Sequence, residues 1–327
     1  MGNEWQGVFP VVPTPLHDDE SVDDAGLAGL VDYYLEAGCH GVVVLGSGGE
    51  HPYFTLEERL AIVRAAVGAA KSRAPVIVGM GFSGLIEARL FAERARALGA
   101  DAFLAALPTY YPVAFADALA YYRALGEAAG PRIIYYHFPQ VTRLRLSAAE
   151  VGAILGLDAV IGIKESSLNL AQMRAHLAHA GRPGLALLTG TSYLLRETLA
   201  LGGAGTICPI PSVAPRLVVE CYRVLKAGEA ERGARLQRKI LDLLPLMNSF
   251  ALPLAAQRWG LYAASRLPFP LPAGSAPRHA VIKETLRQLG HPITARVRSP
   301  LPQITDAERR AIARLIERNQ LAAGAER

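Results

Sequence analysis

The 327-residue chain is poor in cysteine, tryptophan and lysine, and it has no long uncharged apolar run. Its three cysteines, Cys39, Cys208 and Cys221, are too few and too scattered for a disulfide framework, and none forms a Cys-x-x-Cys pair. This excludes a small cross-linked fold and points to a reducing compartment. No stretch of about 20 residues stays apolar without charges or turn residues. The opening MGNEWQGVFPVVPTP lacks the basic and apolar regions of a secretory signal. The expectation is a soluble, cytoplasmic protein with no membrane partner. A net charge of +5 is spread along the chain without a dense basic run or a recognition motif, so no nucleic-acid partner is expected. Only five lysines occur, Lys71, Lys164, Lys226, Lys239 and Lys283, which makes the setting of each one informative.

Half of the chain (51%) is hydrophobic, and it is organised. Eight short runs rich in Val, Ile and Leu alternate with segments of helical period: 7–15, 41–46, 75–81, 102–108, 132–139, 159–166, 185–190 and 204–211. Near-continuous apolar strands separated by helices indicate a parallel sheet covered by helices, because an antiparallel sandwich would alternate apolar and polar residues. Thr55 and Glu58 form a Thr-x-x-Glu cap signal for a helix over 55–73, and a second helix is expected from Ser83 to Gly99. Eight βα repeats predict an α/β fold of the (β/α)8 TIM-barrel type, with an open doubly wound sheet as the alternative. The barrel is expected to occupy residues 1–230. Residues 231–327 then form a C-terminal helical extension, with helical stretches at 229–265, 276–290 and 305–322 and a connector at 296–302.

Active sites of such barrels lie at the C-terminal strand ends, where polar residues need explaining. Lys164 closes the apolar run Ala-Val-Ile-Gly-Ile-Lys. Facing the barrel interior, its ammonium would be poorly solvated, and the neutral amine favoured there is the nucleophile for a Schiff base. The alternative is an ion-paired strand-end lysine, although Glu165 points to the other face of the strand. Tyr136, one strand earlier, suits proton transfer or simple core packing. Gly46-Ser47-Gly48-Gly49 reads as an anion-holding loop or a tight turn, and fits neither a dinucleotide nor a phosphate-loop motif. His51 and His137 are not accompanied by a metal-ligand motif, so no metal is expected. Cys208 reads as a buried small hydrophobe.

These residues together resemble the dihydrodipicolinate synthase / N-acetylneuraminate lyase family. The likeness is carried by Gly46-Ser47-Gly48-Gly49-Glu50, Tyr136-His137-Phe138-Pro139, Gly162-Ile163-Lys164-Glu165-Ser166, Leu187-Leu188-Thr189-Gly190 and Leu201-Gly202-Gly203-Ala204-Gly205, in family order. The resemblance implies that Lys164 forms the imine with a 2-oxo acid such as pyruvate and that Tyr136 transfers protons. It implies that Ser47 and Gly48 bind the substrate carboxylate, with Ser47 and Tyr110 in a hydroxyl relay to Tyr136. Gly190 and Ile207 would line the pocket floor. It further implies no metal or organic cofactor, and dimers that pair into tetramers with Tyr110 reaching a neighbouring subunit.

The chain also departs from the pattern. Dihydrodipicolinate synthases carry an Arg two residues after the strand-five Pro, whose guanidinium can hold a second carboxylate. Here Val141 stands at that substrate-binding place, and a valine cannot pair an anion. Arg143 lies two residues further on, a shift of about 6–7 Å. Gly48 lacks the second hydroxyl of the usual Thr pair, and His137 replaces an Asn. The expected activity is a Schiff-base aldolase or dehydratase. The alternatives are dihydrodipicolinate synthase proper, condensing pyruvate with aspartate semialdehyde, and a non-catalytic binding protein on the same barrel.

Overall fold

A computed structural model describes residues 5–82, 84–130, 132–179, 184–267 and 278–321. Eight parallel strands form one sheet: β1 (Gly7–Pro10), β2 (Val42–Val44), β3 (Val76–Gly81), β4 (Ala102–Ala106), β5 (Ile133–His137), β6 (Val160–Glu165), β7 (Ala186–Thr189) and β8 (Gly205–Cys208). Each strand pairs with the next in sequence from β2 to β8. β8 then pairs with β1 in the register Gly7 to Gly205 through Pro10 to Cys208. The last seam, between β1 and β2, is held by a parallel bridge from Val11 to Val43, with the Val12 N–H donating to the Val43 carbonyl at 2.9 Å. The expected (β/α)8 barrel is therefore the observed one, and the open sheet is excluded.

Eight helices cover the strands: α1 (Asp24–Glu36), α2 (Leu56–Ala70), α3 (Leu85–Ala97), α4 (Phe115–Ala129), α5 (Ala148–Leu155), α6 (Leu170–His179), α7 (Leu195–Ala200) and α8 (Pro215–Lys226). The Thr55–Glu58 capping box forms as expected, with the Glu58 N–H donating to Thr55 Oγ1 at 3.3 Å and the Thr55 N–H to Glu58 Oε2 at 2.8 Å. Gly84 caps α3, and Ser83, the expected start of that helix, lies outside the described residues. The period of two along each strand separates two apolar layers. Phe9, Val43, Ile77, Leu104, Ile134, Leu188 and Ile207 fill the barrel interior, while alternate residues such as Val8, Val42, Val78, Ile133 and Ile163 pack against the helices.

After the barrel come α9 (Ala230–Leu241), α10 (Leu254–Ala264), α11 (His279–Gln288) and α12 (Asp306–Asn319). The stretch expected to be helical over 229–265 is divided, because Pro245 and Pro253 each start a new helical segment rather than continue one. The C-terminal residues return to the barrel: Thr294 Oγ1 donates to the Leu16 carbonyl at 2.7 Å. No helix among the described residues is long and apolar enough to cross a membrane.

Candidate active site

The register of β5, β6 and β7 brings Tyr136, Lys164 and Leu188 side by side. Ile134 and Tyr136 belong to the interior layer, so Lys164, in register with Tyr136, also faces inward. Only 3% of Lys164 is exposed, and its Nζ lies 4.0 Å from the centre of the Tyr136 ring. Phe138 stacks on the same ring, with centroids 5.6 Å apart and planes inclined by 18°. An amine in this position is held against a π face inside an apolar barrel.

Ser47 comes to the same place from β2. The loop after that strand makes a 3-10 turn over Ser47–Gly49, flanked by Leu45 (φ 55°) and Glu50 (φ 62°) in the left-handed region. Ser47 Oγ lies 3.5 Å from Tyr136 Oη, at the outer limit of a hydrogen bond. The first amides of such a turn have no partner within the turn itself, which leaves the Ser47 and Gly48 N–H groups suited to an incoming anion. A Cβ on Gly48 would lie 3.2 Å from Val11 Cγ1, so any side chain at this position must push Val11 aside.

The remaining expected site residues sit as follows. Gly190 follows β7, and its N–H donates to the Glu165 carbonyl at 2.7 Å; a Cβ there would stand 1.8 Å from Ser166 Oγ, so any side chain must displace Ser166. Ile207 is fully buried in the interior layer. Val141 lies in the short helical turn Pro139–Thr142 and is 54% exposed, and Arg143 ends that turn with φ 62°. Tyr110 is not brought to the others within one chain: it is 83% exposed, its ring packs edge-on against Tyr111 at 4.9 Å, and among the described residues no hydrogen bond links it to Ser47 or Tyr136.

Behind Lys164, on the outer face of the sheet, lies a buried polar group made of Glu165, His137 and His176 from α6. Glu165 Oε2 and His176 Nδ1 are 2.6 Å apart, Glu165 Oε1 accepts the Ser167 N–H at 2.7 Å, and the two imidazoles meet edge-to-face at 4.7 Å. Burial pushes the Glu165 carboxyl up, but His137, His176 and the Ser167 side chain outweigh it and hold the carboxyl below its ordinary range. Burial lowers His137 against the opposing pull of Glu165. Among the described residues this is the one group of three potential metal-ligating side chains whose donor atoms lie within 4.8 Å of one another. Two bonds of about 2.1 Å at a tetrahedral ion would separate their donor atoms by about 3.4 Å. The 2.6 Å contact is instead that of a charge-assisted hydrogen bond. His51 is not part of this group. Cys208 is buried, with Sγ 3.0 Å from Ser192 Oγ, in keeping with a packed strand residue.

Sequence reasoning singled out neither His176 nor the residues that hold the Ser47 loop from behind, His279 and Lys283. Lys283 did leave a signal, as one of five lysines set in the apolar helical stretch His-Ala-Val-Ile-Lys-Glu-Thr-Leu.

The closed (β/α)8 barrel carries an inward lysine and tyrosine side by side at adjacent strand ends, at the end of the barrel where such folds place their active sites. The chain belongs to the dihydrodipicolinate synthetase family, whose model matches residues 4–272. It is 30% identical to a 4-hydroxy-tetrahydrodipicolinate synthase of Nitrosococcus oceani, over 87% of this chain and 98% of that one. It is also 30% identical to a probable 2-dehydro-3-deoxy-D-pentonate aldolase of Escherichia coli K12, over 73% of this chain and 81% of that one. The structure is similar to that of YagE, a prophage protein of the same family from E. coli K12 solved with pyruvate: TM-score 0.85, 26% identity, covering 97% of this chain and 99% of that one.

Proposed function

We propose that the protein forms an imine between Lys164 and the carbonyl of pyruvate or a longer 2-oxo acid, and works from that intermediate as an aldolase or dehydratase. The observation that carries this reading is the buried Lys164 amine 4.0 Å from the Tyr136 ring, with Ser47 Oγ 3.5 Å from the Tyr136 hydroxyl. Addition of Nζ to the carbonyl gives a carbinolamine, which gains a proton at oxygen and loses water to leave the iminium. Tyr136 would hand over that proton, with Ser47 next in line. Loss of a proton from the adjacent carbon turns the iminium into an enamine. The enamine adds to an aldehyde, forms in the reverse cleavage, or expels a hydroxyl as water. Hydrolysis returns the free lysine. The protonated imine itself is the electron sink, so the scheme draws on no metal or organic cofactor.

The Ser47 and Gly48 amides would hold the carboxylate beside the carbonyl, and Gly190 and Ile207 would line the pocket floor. Tyr110, exposed in the single chain, is available to enter a neighbouring site in a dimer or tetramer. Val141 in place of a cation favours a substrate whose far end carries no carboxylate. The solved relative with bound pyruvate supports the choice of first substrate.

The test is reductive trapping: the protein is incubated with pyruvate and borohydride, digested, and the mass increment located by peptide mass spectrometry, with Lys164→Ala as control. An increment confined to Lys164 is expected. No increment with pyruvate or with longer 2-oxo acids would leave a non-catalytic binding protein as the better reading.

A further inference from the structure

The loop that carries Ser47 is held from outside the barrel by the C-terminal segment. His279 Nε2, at the start of α11, is 2.7 Å from the Ser47 carbonyl oxygen. One turn further along α11, Lys283 Nζ lies 2.5 Å from Glu50 Oε1 and donates to the Arg296 carbonyl at 2.6 Å. The Arg298 N–H donates to the other Glu50 oxygen at 2.8 Å. Lys283 and Glu50 are both fully buried side chains. Glu50 has a non-glycine left-handed backbone (φ 62°), a conformation that persists where its surroundings over-determine it. From the barrel side, Thr14 Oγ1 donates to the Gly49 carbonyl at 2.8 Å.

The Ser47 carbonyl, which also accepts the Glu50 N–H at 3.2 Å within the turn, and the Gly49 carbonyl are both engaged by side chains of other segments, and the Glu50 side chain is anchored by Lys283 and Arg298. A carbonyl held this way fixes the peptide plane it shares with the next amide. The plane of the Ser47 carbonyl contains the Gly48 N–H, and the two point in opposite directions because the peptide is trans and planar. Gripping the Ser47 oxygen therefore aims the Gly48 N–H away from His279.

We propose that His279 and Lys283 are positioning residues for the carboxylate-binding turn: His279 orients the Gly48 amide through the Ser47 carbonyl, and Lys283 fixes the turn through Glu50. The inference rests on the imine reading above, and it assigns α11 a role in recognising the substrate's carboxylate. Neither residue touches the reacting atoms.

The distinguishing probe is a pair of carbonyl compounds, pyruvate and its methyl ester, which share the reacting carbonyl but differ in the anionic carboxylate. Trapping at Lys164 is measured against concentration for the wild type, His279→Ala and His279→Gln. His279→Ala is expected to raise the half-saturation for pyruvate about tenfold, the scale of one weakened hydrogen bond to a charged group. The value for methyl pyruvate should stay within about twofold, and His279→Gln, which retains an N–H donor, should recover most of the loss. If His279→Ala does not fold by near-ultraviolet circular dichroism, His279→Asn, whose shorter amide falls short of the Ser47 carbonyl, takes its place with the same expected split. Equal weakening for both probes, or none for either, overturns the inference while wild-type trapping still upholds the imine. A wild type that traps neither probe at Lys164 overturns the imine reading, and this inference with it.

Discussion

Lys164 and Glu165 are neighbours in β6, yet their side chains serve opposite faces of the barrel wall: the amine lies 4.0 Å from the Tyr136 ring inside, and the carboxylate meets His176 Nδ1 at 2.6 Å outside. The amine and the carboxylate of one strand end are thereby kept from pairing. Glu165 anchors α6 and the Ser167 turn, and Lys164 faces the barrel interior without it.

This separation predicts that Glu165→Gln costs stability rather than chemistry. The substitution weakens a buried charge-assisted hydrogen bond, worth about 2–3 kcal/mol. The urea midpoint should fall, while the half-saturation for pyruvate trapping at a temperature where the variant is folded stays near that of the wild type. A variant of normal stability with lost trapping would instead place Glu165 in the chemistry.

Gly190 makes a second case, because β7 passes close to the β6 end. A Cβ on Gly190 would meet Ser166 Oγ at 1.8 Å and Ser166 Cα at 3.0 Å. Gly190→Ala should therefore destabilise by about 1–3 kcal/mol, and Ser166→Ala added to it should return part of the loss, since the Oγ contact disappears while the backbone contact remains. Chemical denaturation of the two single variants and the double variant gives the coupling. Strict additivity would mean that the strands separate without resistance from Ser166.

The barrel and its inner residues were legible because they rest on local periodicities. A period of two sorts Lys164 from Glu165 and Tyr136 from His137, and eight apolar runs at even spacing leave few topologies. The Thr55–Glu58 cap was legible for the same reason, as both partners lie within one turn. The support of the site was not. His279 and Ser47 are 232 positions apart, and α11, buried all round from Ala280 to Leu286, has a sequence that does not show what it meets. His176 was hidden similarly: its helical position is ordinary, and its partner Glu165 belongs to a strand face whose contacts depend on how α6 packs. The positive φ of Glu50 leaves no local mark either, since it follows from anchoring by Lys283 and Arg298.

Val141 tests substrate choice directly. It occupies an exposed place in the turn after β5, where an arginine would have room to reach a carboxylate bidentately. With pyruvate and aspartate semialdehyde the wild type should form little condensation product, and Val141→Arg should raise the initial rate at least about tenfold, the value of one added ion pair of roughly 1.4 kcal/mol. Product is followed by coupled absorbance or mass spectrometry. Wild-type condensation as fast with aspartate semialdehyde as with uncharged aldehydes would restore the synthase reading.

His51 links the site loop to pH. It follows Glu50 and is partly buried, its Nδ1 has no hydrogen-bond partner among the described residues, and desolvation, assisted by the nearby Arg59 charge, lowers its pKa to about 4. An unfolded histidine titrates near 6.5. The folded value is depressed, so the unfolded chain takes up the proton first. The stability associated with neutral His51 is complete above about pH 6.5, is lost as pH falls through the window from about 6.5 to 4, and does not change further below it. The difference corresponds to about 3 kcal/mol. Four other histidines, the buried His137 and the less buried His40, His279 and His291, are lowered by desolvation too and add slope of the same sign. The contribution of His51 is therefore read from a comparison: His51→Asn should be less stable than the wild type at pH 8, and the gap between their unfolding free energies should narrow on going to pH 5. Parallel curves for the two proteins across that window would show that His51 does not resist protonation in the folded chain.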